Sequence, residues 1–255
     1  MKEWNFYFNG SYANDLDVVV KEYISIPATT ESYDKVDIIG RNGSIYNNKG
    51  LYEDKQFDVT LRIRKPLDNF WGKVDRIKKW LYDIQDNRFI YDREDRCLLI
   101  KKIIMGDIAR QSRAYGEFKV TFIAEPFFYD IEETVLTYNA EEITKIIQEN
   151  NFERFISLDI GNVGDFPVFP IIELSVNGYV RIVGEGTQLD LLDTYTTSGN
   201  YLDITIDSKN RECNTDTDGS YPIINNNITF ILGNKYAGET CNLNKLVIRY
   251  RNSYL

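Results

Sequence analysis

The sequence predicts a mainly β protein with two domains, the first of which contains one packed α-helix. Three observations predict this class. From Phe57 to Arg64 apolar and polar side chains alternate strictly, as a strand with one buried face requires. Short strand patterns bounded by Gly, Pro, Asn or Asp recur along the chain. One helical pattern, with apolar residues every three or four positions, interrupts them between Asn69 and Ile84.

In the first half, the turn residues and the strand patterns predict six strands around that helix. Asp68 or Asn69, after Pro66, is expected to cap the first helical turn. The expected strands are Phe6–Phe8, Val18–Ile26, Gly43–Tyr46, Phe57–Arg64, Leu98–Ile104 and Glu117–Ala124, the last of which is expected to run into Glu125–Tyr129.

A break in the strand pattern predicts the domain boundary. After Asp130 the acidic stretches 132–133 and 139–142 interrupt the alternation, as at the edge of a domain. At 255 residues the chain is long enough for two domains of ordinary size. We therefore expect domains at residues 1–132 and 133–255.

The second half returns to short strands with regular turns, a pattern typical of an antiparallel β-sandwich. The segment Ile143–Gln148 fits either a short helix or a strand. The expected strands are Ile156–Ile160, Ile171–Val176, Tyr179–Val183, Leu202–Asp207, Ile228–Leu232 and Leu246–Arg251.

Composition narrows the function classes. The chain has no histidine, so it lacks the usual general base at neutral pH, the Ser-His and Cys-His nucleophile pairs and the commonest metal ligand. Paired carboxylates could still hydrolyse a glycoside, although no motif marks such a pair. We expect a protein that is not an enzyme, and we assign no catalytic, cofactor-binding or metal-binding residues and no cofactor.

Net charge and hydropathy argue against nucleic acid and the membrane interior as partners. A net charge of −9 argues against a protein that grips nucleic acid, because phosphate contacts need clustered Lys and Arg. No apolar run approaches the length of about 20 residues that a membrane span needs. Residues 1–6 lack the apolar core of a signal peptide, so folding in a cytoplasm is expected.

Several local patterns invite a functional interpretation, and each has a structural alternative that we prefer. Lys73, Arg76, Lys78 and Lys79 resemble a nucleic-acid patch, but interleaved acids indicate a solvated helix face. Asn214–Gly219 imitates the first half of a calcium loop, but its twelfth position is Asn225, and a turn gives the same residues; whether it binds a cation stays open.

The tyrosines, glycines and cysteines also have structural interpretations that we prefer. A row of Tyr195, Tyr201 and Tyr221 could stack on sugar rings, but packing explains tyrosines in a sandwich equally well. The glycines of 40–43 and 184–186 lack the residues of a phosphate loop and indicate turns. Cys97, Cys213 and Cys241 are interpreted as reduced thiols, with a Cys213–Cys241 disulfide as the alternative if neighbouring strands hold them.

The order and content of these segments resemble the distal tail proteins of long-tailed, non-contractile phages and related prophages. The resemblance covers most of the chain and lies in a diffuse pattern, with no catalytic signature. It rests on residues 6–10 and 39–43, the strand 57–64, the helix 71–84, residues 120–127, Gly161-Asn162, residues 167–173, Tyr221-Pro222 and the tail 249–255.

The resemblance implies a function and an architecture. The first domain would be a β-barrel or β-sandwich similar to tail-tube proteins, and six copies would close into a ring around the DNA channel. The second would be a peripheral sandwich similar to galectins or carbohydrate-binding modules. The partners would be the tail tube protein, tail-tip or tail-associated proteins, receptor-binding proteins and in some cases a cell-surface saccharide. The protein would lie at the virion tail tip after assembly in the host bacterial cytoplasm.

Two alternatives from other classes stay open. A free carbohydrate-binding protein would use residues 133–255 as its binding domain. A carboxylate glycosidase would use a pair among the 39 Asp and Glu residues. An acidic channel wall, which would let DNA slide without sticking, belongs to the tail-hub interpretation.

Overall fold

The computed structural model describes residues 4–40, 42–63, 70–110, 116–149, 155–191, 200–233 and 241–255. The chain divides into two compact units. The N-terminal unit comprises Met1–Ile131 together with Leu255, and the C-terminal unit comprises Glu132–Tyr254. The roles expected for the two domains stay predictions.

The N-terminal unit consists of antiparallel strands, one short 3₁₀ helix at Ala13–Leu16 and helix α1 at Phe70–Tyr82. Its strands are β1 Tyr7–Phe8, β2 Ser11–Tyr12, β3 Val18–Val20, β4 Glu31–Asp37, β5 Ser44–Tyr52, β6 Lys55–Ile63, β7 Arg88–Ile90, β8 Arg96–Met105, β9 Ala109–Arg110, β10 Gly116–Ala124 and β11 Phe128–Asp130.

The main sheet of this unit has the strand order β2-β1-β7-β8-β10-β6-β3. Strands β6 and β10 pair along nine residues, from Ile63 opposite Gly116 to Lys55 opposite Ala124. The alternation predicted from Phe57 is confirmed, since every second residue of β6 is buried up to Ile63. Arg64, at the end of the predicted strand, lies outside the described residues.

Helix α1 buries one stripe against the sheet. The predicted apolar positions Phe70, Val74, Ile77 and Leu81 are all buried, and Trp80 joins them. The predicted cap residues Asp68 and Asn69 lie outside the described part of the chain. The core beneath the helix is rich in aromatic side chains, because Phe122 contacts four other rings at centroid distances between 5.1 and 6.0 Å: Phe6, Phe8, Phe57 and Phe89.

Three predicted strands of this unit are wrong in extent. The strand expected at Gly43–Tyr46 is β5, Ser44–Tyr52, which continues six residues further. The strand from Val18 ends at Val20 instead of Ile26, because the amide of Ile24 donates to the hydroxyl of Tyr91 at 3.1 Å and not to a neighbouring strand. The strand expected to run into 125–129 is broken after Ala124 and resumes at Phe128. Pro126 lies in this break and has no amide hydrogen for a sheet.

The C-terminal unit is an antiparallel β-sandwich, as predicted. Its two sheets have the strand orders β12-β21-β14-β17-β18 and β13-β20-β15-β16-β19. The elements are β12 Thr134–Asn139, α2 Ala140–Glu149, β13 Phe155–Asp159, β14 Ile171–Asn177, β15 Val180–Gly184, β16 Thr187–Leu191, β17 Leu202–Asp207, β18 Glu212–Cys213, β19 Thr217–Gly219, β20 Asn227–Leu232, β21 Asn242–Tyr250 and β22 Ser253–Tyr254.

Helix α2 settles the choice left open at residues 143–148. Asn139 caps it by accepting hydrogen bonds from the amides of Glu141 and Glu142, each at 3.0 Å. The Glu142 carboxylate accepts the Asn139 amide at 2.9 Å in return, which completes a capping box. The helix buries Ile143 in the sandwich core and contacts β12, β13 and β21.

Two further predictions concern the cysteines and membrane-spanning segments. Cys97, Cys213 and Cys241 are all thiols in the structure. Among the described residues, neither helix is long and apolar enough to cross a membrane.

Candidate assembly surface

A long hairpin stands apart from the core of the N-terminal unit. Within the described part of the chain, its strands β4 and β5 pair only with each other and form a separate two-stranded sheet. Residues 33–40 are all exposed, and Ile39 at the tip has its whole side chain in solvent. An isolated two-stranded sheet is at best marginally stable in water. The hairpin therefore has the properties of an element that is completed by a partner.

Six large apolar side chains of the hairpin are exposed to solvent. Tyr33, Val36, Ile38, Ile39, Tyr46 and Leu51 are each more than 40% exposed. The register places Tyr33 and Tyr46 on one face of the hairpin and Val36 on the other, and exposed large apolar side chains are candidates for contact with a partner. Each of the two strands also has one edge along which no other described strand pairs, and a further strand can join such an edge.

The root of the hairpin is held firmly. Lys55, at the start of β6, is buried, and its ammonium group donates to the hydroxyl of Thr29 at 2.7 Å and to the carbonyl of Pro27 at 3.1 Å. Burial lowers the pKa of Lys55. Tyr52 packs edge-on against Phe127 with ring centroids 5.0 Å apart. The hairpin thus projects from a fixed base.

The outer face of the main sheet carries charges that are already paired. Glu117 accepts from Arg62 at 2.6 Å and from Lys21 at 3.1 Å. The hydrogen bonds from Arg62, and then those from Lys21, hold the pKa of Glu117 below its usual value. On the same two strands, Asp58 is paired with Lys119 at 2.7 Å.

The net charge of the chain is unevenly divided. Residues 1–131 contain 21 Lys and Arg and 21 Asp and Glu, whereas residues 132–255 contain 9 and 18, so the whole charge of −9 belongs to the second half. Copies in contact through the N-terminal unit would not repel each other through net charge, but copies of the C-terminal unit would.

The basic face of α1 is part of a mixed surface, as predicted. Lys73 is bound to Asp17 at 2.9 Å. Arg76 and Lys79 line a shallow cavity of about 370 Å³ together with Trp80 and the acidic Asp83 and Asp86. The mixture of signs does not form the continuous basic stripe that a nucleic-acid site requires.

The calcium-like segment is part of the sandwich. The Asn214 side chain donates to the Asp203 carbonyl at 3.1 Å and accepts the Thr205 amide at 2.9 Å. The segment leads from β18 in one sheet to β19 in the other, where Gly219 pairs with Leu189. Among the described residues, no three acidic or cysteine side chains converge as metal ligands would.

The tyrosines considered as a possible sugar-stacking row differ in exposure. Tyr201 is 46% exposed and precedes β17, whereas Tyr221 is half-buried against the sandwich core. Tyr195 lies outside the described residues. The outer face of the other sheet holds instead an arrangement that the sequence did not predict. Arg181 donates to the buried carboxylate of Asp190 at 2.6 Å, and the Tyr179 hydroxyl donates to the same oxygen at 2.7 Å.

Comparison with known proteins gives a fold but no sequence relative. No protein family model matches this sequence, and no curated protein matches it. Two solved structures are similar over nearly the whole chain. One is the Dit protein (gp 19.1) of phage SPP1, described as a paradigm of the hub adsorption apparatus in phages that infect Gram-positive bacteria. It aligns with a TM-score of 0.52 and 12% identity, over 100% of both chains.

A chain in the structure of the phage P2 baseplate in its activated conformation with Ca is also similar. It aligns with a TM-score of 0.47 and 9% identity, over 99% of this chain and 98% of that one. The alignment to the SPP1 protein shows that this chain has the fold of a distal tail hub protein along its full length, so the predicted resemblance is confirmed for the fold.

Proposed function

We propose that this chain is a structural protein of a phage tail tip, a hub subunit that works by assembly and not by catalysis. The observation that carries the proposal is the full-length similarity to the SPP1 hub protein. Six copies would form a ring that joins the tail tube to tail-tip and receptor-binding proteins and lets DNA pass. Assembly would take place in the cytoplasm of the bacterial host.

The hairpin supports self-assembly through the N-terminal unit. A ring needs a contact between two different surfaces of the same chain, repeated until it closes. The β4–β5 hairpin supplies a projecting surface with exposed apolar side chains, of which Ile39 at the tip is the most exposed. The zero net charge of this unit removes general repulsion between copies.

The distribution of charge also supports a peripheral C-terminal unit. Six units of net charge −9 are best separated at the outside of a ring. The same charge distribution changes the expectation of an acidic channel wall, because the net charge of residues 1–131 is zero. We propose a channel wall whose cations are neutralised by neighbours, as Arg62 and Lys119 are, so that DNA phosphates meet few free positive charges.

The test is the absolute mass of the purified chain over a concentration series, measured by light scattering, with negative-stain images of the largest species. We expect a closed ring of six copies. Ile39→Asp should give monomers, because a charge at the exposed tip opposes burial in a neighbour. Val163→Asp is the matched control, since Val163 is 74% exposed in the other unit. A wild-type chain that stays monomeric would contradict the ring.

A second candidate function is favoured by one observation. Asp190 is 6% exposed and fixes Arg181 on the outer face of a sandwich sheet. A pre-oriented Arg beside a tyrosine can bind hydroxyl groups of a saccharide. Retention of the full chain on a glycan array, abolished by Arg181→Met, would support a carbohydrate-binding protein. If the wild-type chain is not retained on any glycan, this candidate is rejected.

A further inference from the structure

Three aromatic rings form a cluster on the surface of the N-terminal unit. Trp4 and Tyr23 pack edge to face with ring centroids 5.0 Å apart, and Tyr91 lies 6.4 Å from Trp4 and 5.5 Å from Tyr23. Tyr91 is buried, but Trp4 is 39% exposed and Tyr23 is 53% exposed. We call these three residues the aromatic patch. Trp and Tyr are the residue types that most often anchor protein interfaces.

The patch is held in place by its surroundings. The Tyr23 hydroxyl donates to Asp92 at 3.2 Å, and the Tyr91 hydroxyl accepts the Ile24 amide at 3.1 Å. Asp92 adopts a left-handed backbone conformation, with φ of 61°, inside a tight turn closed by the Arg93 amide and the Tyr91 carbonyl at 2.7 Å. Such turns are uncommon and strained, and strain of this kind is concentrated at functional positions.

The patch lies near the root of the hairpin. The guanidinium of Arg93 is 5.9 Å from the centroid of the Phe128 ring, and the ammonium of Lys55 is 5.4 Å from the same centroid. Lys55 is the residue that anchors the hairpin through Thr29. The Phe128 ring therefore lies close both to Arg93, which follows the patch in sequence, and to Lys55 at the root of the hairpin.

We propose that the aromatic patch receives the hairpin tip of a neighbouring copy of this chain. The inference rests on the proposed ring and names the second surface that the ring contact needs. The tip offers Ile38 and Ile39, which have no apolar neighbours in the described core of their own chain. The hairpin strands, of seven and nine residues, reach about 25 to 30 Å from their root. Each tip would then lie at the root of the next hairpin around the ring.

Two exposed aromatic residues on α1 are less suited to this role. Trp71 is 60% exposed and Tyr82 is 55% exposed, but they lie eleven residues apart on α1. That separation is about 16 Å along a helix, so the two rings do not form one patch. Trp71 is instead a matched control, because it is an exposed tryptophan of the same unit.

Complementation between two variants tests the proposal. The patch variant carries Trp4→Ala and Tyr23→Ser, and the tip variant carries Ile38→Asp and Ile39→Asp. Each should weaken self-association by about 30-fold or more, the effect of losing an interface anchor, and leave monomers. An equimolar mixture should form a heterodimer and nothing larger, because one intact tip and one intact patch remain. Trp71→Ala should assemble like the wild type.

The outcomes separate this inference from the proposed function. If the wild type forms rings and the patch variant forms them equally well, the inference is wrong and the ring stands. If the mixture stays monomeric, the tip and the patch do not meet. If the wild type is monomeric at every concentration, the ring fails and this contact fails with it. A photo-crosslinker in place of Ile39 gives a second measurement, and the proposal requires its product at residues 4, 23 or 91–93 of another copy.

Discussion

Asn9 and Trp80 are joined by a hydrogen bond that, with a second bond from Trp80 to Phe8, ties the first strand to the end of helix α1. The Asn9 side-chain amide donates to the Trp80 carbonyl at 2.7 Å, and the Trp80 indole donates to the carbonyl of Phe8 at 2.8 Å. The same Asn9 amide donates to the Asp83 carbonyl at 2.7 Å. Its oxygen accepts the amide of Gln85 at 2.8 Å. The Asn9 side chain thus provides hydrogen-bond partners for carbonyl groups at the end of the helix and for an amide of the segment that follows it.

We expect Asn9→Ala to lower the free energy of unfolding of the N-terminal unit by about 2 to 3 kcal/mol, since it removes four hydrogen bonds, two of them partly buried and two exposed, at about 0.5 to 1 kcal/mol each. Asn9 also has a positive φ of 44°, which Gly adopts more easily than Ala. Asn9→Gly should therefore be less destabilising than Asn9→Ala by about 1 kcal/mol. Urea unfolding followed by tryptophan fluorescence measures this, because all three tryptophans lie in this unit. Equal stability of Asn9→Ala and the wild type would contradict the clamp.

The pH dependence of the N-terminal unit should follow its paired carboxylates. The folded-state pKa values of Asp58, Asp86 and Glu117 are lowered, first by hydrogen bonds from Lys119, Arg88 and Arg62, respectively. A lowered folded-state pKa means that the unfolded chain binds protons more readily, so the stability is present at neutral pH and is lost as the pH falls below about 4. Tryptophan fluorescence during thermal unfolding between pH 3 and 7 should show this decline.

Glu117→Gln supplies the control for that measurement. Its unfolding temperature should change less between pH 5 and 3 than that of the wild type, because one of the titrating groups is gone. A decline as steep as that of the wild type would show that the contacts of Glu117 with Arg62 and Lys21 do not contribute to it.

The capping box of α2 gives a prediction for the C-terminal unit. Asn139→Ala should cost about 1 kcal/mol, since it removes the acceptor for the amides of Glu141 and Glu142. Asn139→Ser keeps a capping oxygen and should cost only a few tenths of a kcal/mol. Differential scanning calorimetry is suitable, because this unit contains no tryptophan. If both variants lost the same stability, the loss would not come from the cap.

Gly219 should be needed for sheet pairing and not for cation binding. A side chain there would begin 2.2 Å from the Gln188 carbonyl oxygen, and φ is 111°. Gly219→Ala is therefore expected to cost roughly 3 kcal/mol or more, within the range of backbone strain and overpacking. Gly186→Ala is the matched control, with φ of 67° but open space around it, and should cost about 1 kcal/mol. Calorimetry that found the two variants equally stable would contradict this account.

The sequence was most informative where one face of an element meets a core. The alternation of Phe57 to Ile63 and the apolar stripe of α1 both predicted the burial that the structure shows, because burial on one face imposes a period on the sequence. Strand β17 was predicted with its observed limits, Leu202 and Asp207. Elements with this kind of patterning need no tertiary information.

Strands with other surroundings escaped prediction. Strand β4 was missed because the hairpin buries neither face in its own chain, so it has no period to detect. Strand β12 does alternate, but the acidic residues on both sides gave it the appearance of a linker. The pattern Asn139-Ala140-Glu141-Glu142 is a capping-box signal and would have identified α2 as a helix.

The candidate surfaces could not be predicted, for a physical reason. The aromatic patch joins Trp4, Tyr23 and Tyr91, whose proximity depends on the fold and not on local spacing. The Arg181–Asp190 pair arises from the register between β15 and β16. Local sequence patterns contain no information on either relation.

The exposed hairpin also bears on the fate of copies that fail to assemble. A strand pair with solvent on both faces and a glycine at positions 40, 43 and 50 is the kind of segment that proteases cut first. In a completed ring the same segment would be covered by its neighbour and protected. If the proposed ring forms, unassembled copies would be cleaved faster than assembled ones, so the exposed hairpin would shorten the lifetime of copies that fail to assemble.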